Sequence, residues 1–375
     1  MTGRMIDLDH AATTRLRDEA LAAMMPHLTG QYANASGSYA AGREARTAID
    51  RARAQVAGAI GAQPGEIIFT GGGTEADNWA ILGAANDPNE KDRIVVSRVE
   101  HHAVLHACEA LSRRGFDVAY ADVDEEGRVS PQEIARLVTP RTALVSVMLA
   151  NNEVGTIEPV ADIARIAHAS GALMHTDAVQ AVGHIPVDVN ALGVDLLSMS
   201  AHKFYGPKGA GALYIRSGTR IGRLLHGGSQ ERGLRAGTEN TPAIVGMGEA
   251  LRLAVQEMEE TSRRVAALRD ALIAGALARL PGARLNGSRA HRLPGNAHLT
   301  LPGVDGRALL LRLDMMGIAA SAGSACASGA AERSHVLRAM RAIEGADLRL
   351  TLGADNAIAD VERALDALEQ IAGNH

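Results

Sequence analysis

The chain has 375 residues, 46% hydrophobic but only 2% aromatic, and a formal net charge of −5. No basic tract stands out, which argues against nucleic acid or an anionic membrane as the main partner. The start, MTGRMIDLDHAATT, lacks a signal-peptide apolar stretch, no run is long enough to span a bilayer, and two cysteines make no disulfide framework, so a reducing cytoplasm is expected.

This length exceeds the size at which single cores stop growing, so two domains are the default. With few aromatics, Ala, Val, Ile and Leu must fill the core, which suits layers of sheet and helix. In chain order, Glu66–Thr70 (EIIFT) reads as a strand, followed by Gly71-Gly72-Gly73-Thr74 and a helix over Glu75–Ala85. Arg93–Ser97 (RIVVS) is a second strand, followed by Glu100-His101-His102 and a helix through Leu111. A third, Thr142–Leu149 (TALVSVML), runs directly into Asn151-Asn152-Glu153. Ala172–His175 leads to Asp177 and Gln180, and Val194–Met199 leads to Ser200, His202 and Lys203. The run Gly248–Leu280 has helical periodicity and few breakers. Polar residues thus follow the C-terminal ends of five apolar runs, where open parallel sheets bind ligands.

Each piece has an ordinary structural reading beside the functional one. Three glycines joining a strand to a helix can cradle a phosphate on backbone N–H groups, or form a tight turn capped by Thr74. They match neither the Walker loop nor the dinucleotide fingerprint. Asp177 is a helix cap, or a carboxylate that keeps a pyridine nitrogen protonated, with Gln180 close enough to contact the same ring. Lys203 sits at the edge of an apolar run, so its stem packs inward with the head in water, or its amine is a Schiff-base nucleophile. His102 and His106 have the i, i+4 spacing of a metal pair but lack the HExxH glutamate, and stacking of His101 on a flat cofactor is the better reading. Cys108 lies in an Ala- and Leu-rich helix and reads as core. Cys326, in SAGSACASGAA, reads as a nucleophile on a mobile loop.

The segments TGGGTEADN, VEHHAVLHAC, NNEVGTIEP, HTDAVQAVG, SMSAHKFYGPKGAGALY, HGGSQERGLRAGTEN and GSACASG occur in this order. Together they resemble the cysteine desulfurases, pyridoxal-phosphate enzymes of the class V aminotransferase-like group, over nearly the whole chain. The resemblance implies that Lys203 carries the Schiff base, Asp177 pairs with the pyridine nitrogen, Gln180 contacts the ring hydroxyl and His101 stacks on the ring. Gly73, Thr74, Ser200 and His202 would hold the phosphate, with Thr238 reaching in from a partner subunit. Asn152 would sit beside cofactor and substrate, Arg349 would clamp the substrate carboxylate, and Cys326 would take the sulfur. One stretch departs from the pattern: NASGSYAAG has Ala35 and Tyr39 where proline and histidine are expected.

The fold implied is the fold type I of pyridoxal-phosphate transferases. A large α/β domain with a mostly parallel sheet spans 15–248, and a smaller α+β domain joins 1–14 to 249–375 and carries the cysteine loop. The implied reaction converts L-cysteine to L-alanine and leaves a protein persulfide for a sulfur-acceptor protein, whether an iron–sulfur scaffold or a thio-cofactor or tRNA relay. A homodimer follows from the family. The alternative is a selenocysteine lyase or another C–S lyase of the same fold, against which the Cys326 loop argues.

Overall fold

The computed structural model describes residues 5–85, 91–322 and 333–372. Cys326 lies outside the described residues. The chain opens with β1 (Ile6–Asp7), α1 (Asp18–Thr29) and α2 (Ala40–Ala59), followed by β2 (Ile67–Thr70) and α3 (Gly73–Ala84). Next come β3 (Arg93–Ser97), α4 (His102–Arg113), β4 (Asp117–Ala121), α5 (Pro131–Leu137) and β5 (Thr142–Ser146). They are followed by α6 (Val160–Ala169), β6 (Leu173–Asp177), α7 (Val189–Leu192), β7 (Leu196–Ser200) and β8 (Gly211–Ile215). The rest comprises α8 (Thr241–Arg279), β9 (Arg284–Asn286), β10 (Asn296–Leu301), α9 (Gly306–Met315), β11 (Ile318–Ala319), α10 (His335–Ala339), β12 (Ala346–Thr351) and α11 (Ile358–Ala372).

A seven-stranded sheet has the order β2-β8-β7-β6-β5-β3-β4. Neighbours are parallel except around β8, which runs antiparallel to both β2 and β7. Side chains alternate between two apolar layers. Ile67, Phe69, Leu197 and Met199 enter the core shared with α2, α6 and the first half of α8. Ile68, Ile94, Leu196 and Leu213 enter the core under α3 and α4, where Trp79 is buried. Both faces are covered, so these strands read as unbroken apolar runs rather than alternating ones. The third run ends as a strand at Ser146, yet Val147 N and Leu149 N still donate to His175 O and Asp177 O.

A second, antiparallel sheet, β12-β10-β9, packs with α9, α11, the second half of α8 and the parallel pair β1-β11. Its core gathers Ile6 and Leu8 from the N-terminal segment with Leu272, Leu299, Leu348 and Leu368. Helix α8 starts at Thr241, seven residues before the run expected from the sequence, capped by the Asn240 side chain on Ala243 N. Gly246 and Gly248 do not break it. A Cβ at Gly246 would lie 2.6 Å from Met24 Cγ, and one at Gly248 2.8 Å from Ala52 Cα, so both let α8 approach α1 and α2 closely.

One buried ion pair holds the segment before α8. Arg53 of α2 meets both carboxylate oxygens of Glu231 at 2.7 Å, with its guanidinium 4.8 Å from the Phe69 ring centroid. Glu231 also accepts from Phe69 N at 3.0 Å. Glu231 and Arg232 both adopt left-handed backbone, at φ 46° and 57°, which non-glycine residues keep only when their surroundings enforce it. Arg53→Ala should therefore cost about 3–5 kcal/mol by leaving Glu231 buried and unpaired. Denaturant titration reads this directly; a loss below about 1 kcal/mol would place the pair among surface-like bridges.

Candidate active site

The site forms where β2, β3, β5, β6 and β7 end. At the first end, Gly72 adopts φ 152° and is followed at once by α3. The cap is thus Gly72, not Thr74. A Cβ on Gly73 would lie 2.8 Å from Val179 Cγ2, so glycine lets the helix start press against the loop after β6. The first N–H groups of α3 need a partner from outside the helix. Thr74, Ser200 and His202 line the cavity with Gly73, beside which Ser200 lies, and this helix start with its hydroxyls suits a phosphate-like anion.

Lys203 stands on the turn after β7. Its Nζ donates to Ala11 O at 2.5 Å and Ala12 O at 2.8 Å, while His184 Nε2–H donates to its own carbonyl at 2.8 Å. Gln180 Nε2 donates to the same Ala11 O at 3.0 Å. Asp177, the last residue of β6, is buried and accepts Val179 N–H at 2.8 Å. Burial raises its carboxyl to about 6, against the pull of the Lys203 ammonium.

His101 is the N-cap of α4, its Nδ1 accepting Ala103 N–H at 3.1 Å. Burial first, then Lys203 and the neighbouring His102, His335 and His106, push the imidazole down to about 4. A neutral ring whose Nδ1 is an acceptor carries its proton on Nε2. His202 is likewise lowered to about 4, by burial and then Lys203 and Lys208, and its Nδ1 lies 3.1 Å from Thr13 Oγ1. The metal reading of His102 and His106 gives way to stacking: their rings are 5.0 Å apart, and His335 packs on His102 at 4.7 Å.

Arg349 on β12 is 2% exposed and donates from Nη2 to Asp9 Oδ1 at 2.8 Å and from Nη1 to Asn152 O at 2.9 Å. The Asn152 turn is shaped by Asn151, whose Oδ1 accepts from Glu153 N and Val154 N. Ser321 exchanges backbone bonds with Arg349, and Ser334 donates to Glu153 Oε2 at 2.5 Å.

Gly73, Thr74, His101, Asn152, Asp177 and Gln180 thus line one cavity of about 320 Å³ with Ser200, His202, Lys203 and Arg349. Thr238 does not: it is exposed on the surface before α8. Ala35 is buried and Tyr39 is 56% exposed, and neither lines the cavity. Cys108 is buried in α4, its thiol pushed up to about 12 by burial and then Glu100 and Glu109. Asp77, His102, Glu153 and His335 also line the cavity and were not expected there as site residues. Their only sequence signal is position: Asp77 lies in the helix after the glycines, and His335 follows the cysteine segment. The donor set fits a phosphorylated aromatic aldehyde: an anion cradle, a primary amine, a buried carboxyl facing the cavity and a guanidinium.

Two predictions follow from the cap and from burial. His101→Asn should keep the helix cap and its stability, while His101→Ala should lose about 1 kcal/mol in denaturant melts. Equal stabilities for the two variants would remove the capping role. Glu100, whose Oε1 accepts from Ser97 Oγ at 2.5 Å and Met148 N at 2.8 Å, is raised to about 8 by burial. Folding therefore favours its protonated form, and that stabilisation is lost as pH climbs from about 4.5 towards 8. Glu100→Gln should gain on the parent by about 1 kcal/mol or more between pH 5 and 9, measured by melts across that range. A constant difference would mean that Glu100 stays ionised throughout.

The aminotransferase class-V family profile matches residues 6–364. A cysteine desulfurase, IscS, of Dictyoglomus turgidum is 50% identical over 372 residues, covering 98% of this chain and 94% of the relative. A solved structure described as a NifS-like protein superposes with a TM-score of 0.93 at 38% identity, covering 99% of this chain and all of the other. A second, described as SspA in complex with cysteine, has a TM-score of 0.83 at 33% identity, covering 94% of this chain and all of the other.

Proposed function

We infer, for a chain that belongs to the class-V aminotransferase family, that it is a pyridoxal-phosphate-dependent cysteine desulfurase. It converts L-cysteine to L-alanine and moves the substrate sulfur onto an enzyme cysteine: the substrate C–S bond breaks, an S–S bond forms, and the thiol becomes a persulfide. The observation that carries this reading is the meeting of amine, buried carboxyl, neutral imidazole, anion cradle and buried guanidinium in one cavity. When bound, pyridoxal phosphate supplies a carbonyl carbon for amines and a protonated ring that accepts electrons from the substrate carbon.

The remaining work falls to the chain's own residues. The cradle of Gly73, Thr74, Ser200 and His202 would take the phosphate, and Lys203 Nζ would hold the cofactor's carbonyl end and, as a free amine, move the substrate Cα proton. Asp177 pairs with the ring nitrogen, Gln180 with the ring hydroxyl, and His101 covers the ring face with a proton ready on Nε2. Arg349 takes the substrate carboxylate beside Asn152. The chain on both sides of Cys326 is anchored at the cavity, through Ser321 on Arg349 and Ser334 on Glu153.

The same reading divides the chain into 15–248 and 1–14 with 249–375, supported by two cores that meet along α8. A homodimer is supported by the exposed Thr238 and by Leu21, Met25 and Leu28, exposed along one face of α1. The persulfide then passes to a sulfur-acceptor protein of the cytoplasm; no described helix is long and apolar enough to cross a membrane.

Cys326→Ser tests the reading. Alanine and persulfide should fall to background, while the cofactor's absorbance and its response to L-cysteine persist. Cys108→Ser, which places a hydroxyl in a packed helix, should cost stability by about 1–3 kcal/mol and spare turnover. Undiminished sulfide release by Cys326→Ser, with pyruvate and ammonia in place of alanine, would point instead to a direct C–S lyase that eliminates sulfide.

A further inference from the structure

Asp77, in the second turn of α3, lines the same cavity as Asp177 but has no place in the chemistry above. It is 1% exposed, and its Oδ1 has no hydrogen-bond partner. The groups that face it come from three elements. From β6 there are Asp177 and the His175 ring, whose Nε2 lies 3.7 Å from Asp77 Oδ1. From β7, the Ser198 hydroxyl offers it a hydrogen bond, and from the turn before α4 comes Glu100. None of these supplies a positive charge. The His175 ring is held between Ser146 Oγ at 2.8 Å and Ser198 Oγ at 3.0 Å, and burial lowers it to about 3, so it stays neutral.

We propose that Asp77 is a positioning residue of the cofactor site: a carboxylic acid kept neutral beside Asp177, so that the pair carries one negative charge and carries it on Asp177. The proposal rests on the reading that Asp177 faces the cofactor ring nitrogen. Two buried carboxylates that line one cavity and repel each other do not both ionise. Asp177 feels the Lys203 ammonium and accepts a backbone N–H, whereas Asp77 has no cation beside it and meets the repulsion of Asp177 and Glu100, opposed by the Ser198 hydroxyl alone. Burial and those two carboxyls raise Asp77 well above the usual carboxylate range. A protonated Asp77 can donate to Ser198, whose hydroxyl turns to His175 Nε2, leaving His175 Nδ1–H for Ser146. This gives the row one consistent proton order. A single buried charge matches a single protonated ring nitrogen, and a second would have nothing to pair with.

Infrared spectroscopy of the purified protein at neutral pH, with and without pyridoxal phosphate, tests the assignment. In wild-type-minus-variant difference spectra, which cancel the band shared with Glu100, one protonated-carboxyl component should be lost in Asp77→Asn and none in Asp177→Asn. Loss in Asp177→Asn alone would reverse the assignment, and loss in neither would overturn it. If Asp77→Asn does not fold, Ser198→Ala decides: removing the hydroxyl should shift the same band, and an unmoved band would sink the proposal. A wild type that keeps the band but takes up no pyridoxal phosphate would instead count against the cofactor reading.

Discussion

Arg349 is a cation enclosed by protein, and a guanidinium in that position must be given partners. Two of its partners come from distant parts of the chain: Asp9 in the N-terminal segment and the Asn152 carbonyl after β5. Its own backbone adds Ser321. The segment that brings Asp9 also brings Ala11 and Ala12, whose carbonyls receive Lys203 Nζ. One buried charge on the small sheet therefore fixes where the amine of the large sheet points. Removing it would loosen three walls of the cavity at once.

Charge in the cavity is kept sparse by burial. Two of the imidazoles that line it, His101 and His202, are held neutral, and Asp177 is balanced by the ammonium. Positive charge is left to Lys203 and Arg349, at two separate points. Such a surface suits a ligand with one anionic group beside the helix start of α3 and another near β12, joined by something flat and weakly polar. A phosphorylated ring joined to an amino acid has that layout.

Much of this was legible because both faces of the large sheet are covered. Unbroken apolar runs such as RIVVS marked the strands, and whatever polar residues followed had to sit at their ends. Asp177, His101 and Lys203 were found that way. Other parts left no readable trace. The Ala11 and Ala12 carbonyls act through backbone, so alanine says nothing of their role. Asp77 sits in TEADNWAI, where an acidic residue reads as the wet side of a helix, yet α3 is covered on that side by β6 and β7. The antiparallel insertion of β8 was hidden too, since GALYI has the same apolar character as its parallel neighbours. The first turns of α8, before Gly248, were not read either: Gly246 and Gly248 serve close packing there, which depends on Met24 and Ala52 being opposite.

Helix α8 has a mechanical consequence. Its 39 residues run without interruption from one core to the other, and between Ala254 and Val265 it buries no residue. Its ends are clamped by packing, while the middle is steadied chiefly by polar ties, such as Arg17 to Glu257 and Arg264 to Asn356 O. The helix is thus a beam with stiff mounts and a compliant waist. At about 1.5 Å of rise per residue, a bend of about 5° at the waist carries either tip through about 2 Å. Since β9 and β10 of the small sheet pack on one half and α1 and α2 on the other, that small flexure would widen or narrow the gap between Arg349 and Asp177 without breaking a strand pair in either sheet.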